Sequence, residues 1–170
     1  ELIPLVNEAL KNCRSVLALS RSPLANSPLV NPALVRDNVS PTAEERAHSL
    51  RLVLQWAVDQ LAPGPAQFPF GQHRPFDDPT WHDALWWRYN ILRHRYLDPL
   101  HPDDFVADGR FTETLIALTG IPSTDVFFAE RNRAIRDVAF WLHSQLKDRA
   151  ADQMLQQRAV QEVYLPLHRE

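Results

Sequence analysis

The sequence predicts an all-α fold, a bundle of five or six helices. Apolar residues recur at helical spacing in four long segments, whereas no stretch alternates apolar and polar residues for long enough to predict a strand. The chain holds 4 glycines and 14 prolines, and the prolines cluster between the periodic segments. Because proline inside a helix removes a hydrogen bond and clashes with the preceding turn, this distribution indicates helices joined by stiff, extended connections.

The first predicted helix spans about Ile3 to Leu19. Its apolar residues recur on one face and form a single stripe, namely Leu5, Val6, Ala9, Leu10, Cys13, Val16 and Leu17. A continuous helix is unfavourable in the following segment, 20–41, because of Pro23, Pro28 and Pro32. The leucines and valines of that segment predict that it packs against the body of the protein.

The second predicted helix has the clearest start, because Thr42 and Glu45 form a T-x-x-E capping box. Its inward face holds Leu50, Val53, Leu54, Ala57, Val58 and Leu61, and Ala62-Pro63-Gly64 ends it. The next segment, 63–80, carries five prolines and three phenylalanines. We expect this irregular segment to be a packed arm of the same domain, with a partner-binding loop as the alternative.

The third predicted helix runs from His82 to Leu97. Its inner stripe is Leu85, Trp86, Tyr89, Leu92 and Tyr96, and the residues placed partly outside that stripe are Trp87, Arg88, Arg93, His94 and Arg95. A short helix near 112–118 and a tight turn at 119–122 follow. A last long helix begins at Ser123 or Thr124 and continues to about Val163.

These elements predict three parts of the chain. Residues 1–80 form N-terminal helices with proline-rich connections, 81–150 a helix-turn-helix-like core, and 151–170 a helix and connector to a following domain. The sequence does not begin with methionine, so we expect it to be a piece of a longer protein. The expected core includes Leu54, Trp56, Tyr89, Leu92, Ile135, Val138 and Leu142.

Composition indicates a soluble globular protein. The chain of 170 residues is 45% hydrophobic and has a net charge of −3, and no apolar run approaches the roughly 20 residues of a membrane helix. We expect no signal peptide, because Asn7, Glu8 and Lys11 interrupt the first apolar stretch. The single Cys13 excludes an internal disulfide and fits a reducing compartment, so we expect a cytoplasmic protein without a membrane partner.

The residue types that commonly carry catalysis or bind metals form no recognised motif in this sequence. No pair among the seven histidines has the spacing, with an intervening glutamate, of a helical zinc site. No Gly-x-Ser-x-Gly elbow or glycine-rich phosphate loop is present. We therefore expect no cofactor, no metal and no enzyme, although a catalytic pair of carboxylates remains an open alternative.

The segment 86–146 carries a residue pattern typical of a helix-turn-helix. Its aromatic and arginine-rich helix 87–96 precedes a short helix, the turn Leu118-Thr119-Gly120-Ile121, and then Phe127-Phe128 and Ala134-Ile135. This pattern resembles the promoter-reading C-terminal domain of bacterial sigma factors. It is still more similar to the sigma-like segments of large bacterial regulators, many of which carry a STAND-type signalling module downstream.

The resemblance implies a regulatory domain, and the residue types favour protein contact over DNA contact. Readers of the DNA groove place arginine, lysine, asparagine or glutamine in the first turn of the recognition helix. Here that turn offers Asp125, Phe128 and Ala129, with Ala129 at the position where the related segments usually have arginine. Residues 119–149 carry five basic and four acidic side chains, too balanced for strong phosphate attraction.

The sequence therefore predicts a noncatalytic regulatory or adaptor domain of a larger bacterial signalling protein. It binds a protein partner or a neighbouring domain of the same chain. The predicted contact residues are Trp87, Phe128, Asp125 and Ala129. The alternative is a DNA-binding transcriptional regulator that uses Arg88, Arg93, Arg95, Arg131, Asn132 and Arg133.

Overall fold

The computed structural model describes residues 2–30, 40–66, 68–72, 77–101, 105 and 109–164. In these residues the fold is all-α, as predicted, and no strand occurs. The α-helices are α1 (Leu2–Lys11), α2 (Val16–Ser20), α3 (Ala43–Asp59), α4 (Trp87–Leu92), α5 (Phe111–Thr119) and α6 (Thr124–Tyr164).

The long helix α6 is the centre of the bundle. Helices α1, α3, α4 and α5 all pack against it. Buried residues from Val6 to Leu142 form one hydrophobic cluster within the described chain. Leu54, Tyr89, Leu92, Ile135, Val138 and Leu142 belong to it as predicted, whereas Trp56 is partly buried and meets Trp141 edge to face at 6.1 Å.

The single helix predicted over about Ile3 to Leu19 is wrong, because the chain breaks between α1 and α2. The carbonyl oxygen of Cys13 accepts a hydrogen bond from Nε of Arg51 at 2.7 Å, so it is drawn toward α3. Ser15 then caps α2, its hydroxyl accepting from the Ala18 N–H. The break changes the helical phase, and Leu17, predicted on the buried stripe, is 66% exposed.

The capping box at the start of α3 is confirmed. The Glu45 N–H donates to the Thr42 hydroxyl at 3.1 Å, and the Thr42 N–H donates to the Glu45 carboxylate at 3.2 Å. The segment before α3 packs on the body as expected, with Leu24, Leu29 and Val30 buried. Residues 31–39 of that predicted segment lie outside the described residues.

The prediction of one regular helix from His82 to Leu97 is also wrong. Two 3₁₀ turns, Pro79–His82 and Ala84–Trp86, precede α4, and a π-helical turn, Arg93–Leu97, follows it. The side chain of Asp83 holds the second 3₁₀ turn, since its carboxylate accepts from the Leu85 N–H at 3.0 Å. In the π turn the Asp98 N–H donates to the Arg93 carbonyl five residues back, at 2.7 Å.

Within the described residues, the predicted arm 63–80 is tied to this π turn by a buried arginine. Nη2 of Arg93 donates to the carbonyl oxygens of Phe68 and Pro69, and its guanidinium lies 4.6 Å from the centre of the Phe70 ring. Asp98 pairs with Arg93 at 3.0 Å and accepts from the Gly71 N–H. The prediction that this segment packs on its own domain is thereby confirmed where the structure describes it.

A left-handed glycine separates α5 from α6. Gly120 has φ = 73° and its N–H donates to the Ile116 carbonyl oxygen, which ends α5. Ser123 then caps α6, its hydroxyl accepting from the Val126 N–H at 3.2 Å. The tight turn and the serine cap predicted at 119–123 are therefore confirmed, and α6 runs past residue 150 without a break.

We expect Gly120→Ala to lower the free energy of unfolding by about 1–2 kcal/mol, since a left-handed conformation costs this much once a Cβ is present. No atom lies within 4 Å of the Cβ position, so the cost is conformational. Gly64→Ala is the matched control, because that site is equally open and lacks a positive φ. Chemical denaturation of both variants measures the difference, and equal stabilities would contradict the left-handed cap.

Candidate protein-contact site

An open groove of about 670 Å³ lies between the 3₁₀–α4 segment and α6. Its apolar lining includes Leu61, Leu85, Trp87, Phe140 and Trp141. Two of these side chains are strongly exposed, Leu85 at 72% and Phe140 at 64%. A groove with large apolar side chains in contact with solvent is typical of a surface that binds another protein.

Three charged side chains and Gln60 form the polar part of the groove. Nε of Arg88 donates to Glu130 at 2.8 Å, and its Nη1 donates to Asp137 at 2.9 Å. These bonds outweigh partial burial and raise the pKa of Arg88, chiefly through the hydrogen bond to Glu130. Arg133 also contacts Glu130, at 3.1 Å, so the acidic side chains are already partnered within the protein.

Trp87, a predicted contact residue, lies in this groove. Its indole N–H donates to the Thr119 carbonyl oxygen at 3.0 Å, which fixes the ring against the end of α5. The side chain is partly buried, so Trp87 forms part of the groove wall rather than the exposed anchor that the sequence predicts. The exposed anchors beside it are Leu85 and Phe140.

The other predicted contact residues, Asp125, Phe128 and Ala129, are exposed on the first turns of α6. Phe128 is 38% exposed, with its ring 5.4 Å from that of the buried Phe127 and 5.2 Å from the Arg131 guanidinium. None of the three is among the residues that line the groove. The structure therefore separates them from Trp87.

The predicted basic patch on the third helix differs most from expectation. Arg93 and His94 are 2% and 1% exposed, so the prediction that they lie partly outside the inner stripe is wrong. Arg88 is engaged with two carboxylates, and the partly exposed Arg95 lies against the rings of Tyr96 and Phe111. The four residues therefore form no exposed basic patch, because Arg93 and His94 are buried and Arg88 is paired with carboxylates.

The DNA contacts predicted on α6 lie nearer the surface. Asn132 and Arg133 are exposed, and Arg131 is partly buried with its Nη2 donating to the Asn132 side chain at 3.3 Å. Arg131 and Asn132 line a smaller groove against Ile3 and Pro4 of α1. Helix α1 thus lies beside the face that would enter a DNA groove.

Phe140 was not singled out from the sequence, and the prediction that Leu85 lies on the inner stripe of the third helix is wrong, because its side chain is 72% exposed. Phe140 precedes Trp141, and adjacent residues on a helix point about 100° apart, so these two large aromatic side chains cannot both point directly into the core. That signal was available. Leu85 gave no such signal, since its exposure depends on the 3₁₀ turn that replaces a regular helix.

Within the described residues, no group of three or more histidine, cysteine, aspartate or glutamate side chains is placed to hold a metal ion. Nor does any helix there combine the length and the apolar character that crossing a membrane requires. Comparison of the chain with protein-family models, curated proteins and solved structures gave no match.

Proposed function

We propose that the chain is a noncatalytic regulatory or adaptor domain of a larger bacterial cytoplasmic signalling protein, and that it works by protein contact. The observation that carries the proposal is the pair of exposed apolar side chains, Leu85 and Phe140, on either side of one groove. Burying two such side chains on a partner is favourable at about 25 cal/mol per Å² of apolar surface.

The charged residues of the groove support the same proposal. Arg88 pairs with Glu130 and Asp137, and Arg133 also contacts Glu130, so these charges would form a satisfied polar rim around the apolar anchors. A catalytic site requires a nucleophile or acid-base group free to act on a substrate, and in this groove the arginine holds both carboxylates. A protein partner suits this chemistry better than a reaction.

Site-directed photocrosslinking tests the proposal in cells that produce the protein. With a benzophenone amino acid at Leu85, we expect one discrete protein adduct, whose yield falls strongly when Phe140→Ser removes the second anchor. The control position is Leu52, on α3, which is exposed to a similar extent, at 66%, and does not line the groove. Equal adducts from both positions, or none from Leu85, would exclude the groove as the contact surface.

DNA binding is the competing function, and the exposed Asn132 and Arg133 are the observation that favours it. We expect only weak binding at low salt that vanishes near physiological ionic strength. Affinity that depends on phosphate contacts falls by about 0.9 log unit per log unit of salt for each contact. Fluorescence anisotropy with pooled duplex DNA at two salt concentrations measures this. Submicromolar binding at physiological salt that is lost in Arg133→Ala would place DNA binding first.

A further inference from the structure

A second groove, of about 320 Å³, lies between α1 and α6 on another part of the surface. Ile3 and Pro4 of α1 face Ile135 of α6 across it, so its body is apolar. Ile135 is buried at 4% exposure, whereas Ile3 is 41% exposed at the edge. This volume is at the lower end of the range for small-molecule sites.

Two arginines, Arg131 and Arg136, line the same groove. Neither is ion-paired with a carboxylate of the described residues, whereas Arg133, between them in sequence, is bound to Glu130. Arg131 is held in place by the Phe128 ring at 5.2 Å and by the Asn132 side chain at 3.3 Å. The groove therefore combines an apolar body with positive charge that no acidic side chain there neutralises.

Two polar atoms of the groove side chains also lack a hydrogen-bond partner among the described residues. They are Nε of Arg131 and Oδ1 of Asn7, both buried. An unsatisfied buried polar group costs free energy, and a native protein usually satisfies it. An anionic ligand that reaches a shifted Arg131 would accept from its Nε, whereas Oδ1 of Asn7 is itself an acceptor and would need a donor group.

We propose that this groove binds a carboxylate attached to a short apolar body. The apolar part lies against Ile3, Pro4 and Ile135, and the carboxylate accepts charge-assisted hydrogen bonds from Arg131 and Arg136. The carboxylate belongs to a free organic acid or to an acidic side chain flanked by apolar residues. The site is distinct from the groove of Leu85 and Phe140, so it is independent of the proposed protein contact.

Isothermal titration of the 170-residue protein with sodium hexanoate tests the proposal. We expect saturable millimolar binding that weakens about tenfold or more in Arg136→Gln, because a hydrogen bond to a charged group is lost. Arg136 is exposed, so the variant is expected to fold, and its melting temperature verifies this. Arg133→Gln is the matched control on the same helix and should leave the affinity unchanged.

Two further probes separate the parts of the ligand. Hexan-1-ol lacks the charge and inorganic phosphate lacks the apolar body, so both should bind at least about tenfold more weakly than hexanoate. A capped tripeptide with glutamate between two leucines distinguishes the source of the carboxylate. If it binds more tightly than hexanoate, the ligand is an acidic side chain; if more weakly, a free acid.

The proposal fails if hexanoate shows no saturable binding at millimolar concentration. It also fails if Arg133→Gln weakens binding as much as Arg136→Gln, since the effect would then be nonspecific charge. Hexan-1-ol or phosphate binding as tightly as hexanoate would likewise overturn it. None of these outcomes alters the crosslink expected from Leu85, which lies in the other groove.

Discussion

Arg93→Ala is expected to lower the free energy of unfolding by about 3–5 kcal/mol, the cost of removing one partner of a buried ion pair. Arg93 is 2% exposed, and its guanidinium lies 3.0 Å from the Asp98 carboxylate. The variant leaves that carboxylate buried without its countercharge. It also removes the donor to the carbonyl oxygens of Phe68 and Pro69, which hold the proline-rich arm.

Urea denaturation of Arg93→Ala and of the control Arg95→Ala measures this effect. Arg95 is two residues away in the same π turn but is partly exposed, and its guanidinium lies over the rings of Tyr96 and Phe111. We expect its loss to cost about 1 kcal/mol or less, the range of an exposed cation–π contact. Similar stabilities of the two variants would mean that Arg93 is solvated.

Asp98→Asn provides a second measurement of the same pair. It removes the negative charge and keeps the size of the side chain, so it also leaves a buried charge uncompensated. We expect the double variant Arg93→Ala, Asp98→Asn to lose less stability than the sum of the single variants, because each removes the same interaction. Strict additivity would show that the two side chains act separately.

The sequence could not predict this buried pair, for a physical reason. An arginine enters a protein interior only when other groups satisfy its charge and its five donors. Those groups are the carboxylate of Asp98, the hydroxyl of Tyr89 and two carbonyl oxygens of an irregular arm. The arm has no periodic pattern, so nothing in the sequence places its carbonyls against the π turn.

Features held by short-range hydrogen bonds were predictable. The capping box joins Thr42 and Glu45, which are three residues apart, and Gly120 bonds to the carbonyl oxygen of Ile116, four residues back. Such short-range partners can be recognised directly in the sequence. The candidate contact site was only partly predictable. Trp87 was expected at a contact site, but four of the other residues that line its groove come from the distant α6.

Breaks inside periodic segments also limited how much of the fold could be predicted from the sequence. A regular helix from His82 would put Leu85 and Leu92, seven residues and about two turns apart, on one face. In the structure Leu92 is fully buried and Leu85 is 72% exposed. The carboxylate of Asp83 stabilises a 3₁₀ turn and changes the direction of the side chains before α4 begins. Aspartate is also a preferred N-cap of a regular α-helix, so Asp83 does not reveal the 3₁₀ turn in the sequence.

Leu92→Ala should therefore cost about 2–5 kcal/mol, the range for truncating a fully buried leucine, whereas Leu85→Ala should stay within about 0.5 kcal/mol. Thermal and urea unfolding of this matched pair measures the difference. If both variants lose several kcal/mol, the regular helix is correct and the groove lacks its anchor. If Leu85→Ala keeps full stability, the exposed leucine contributes little to folding, which leaves it available to bind a partner.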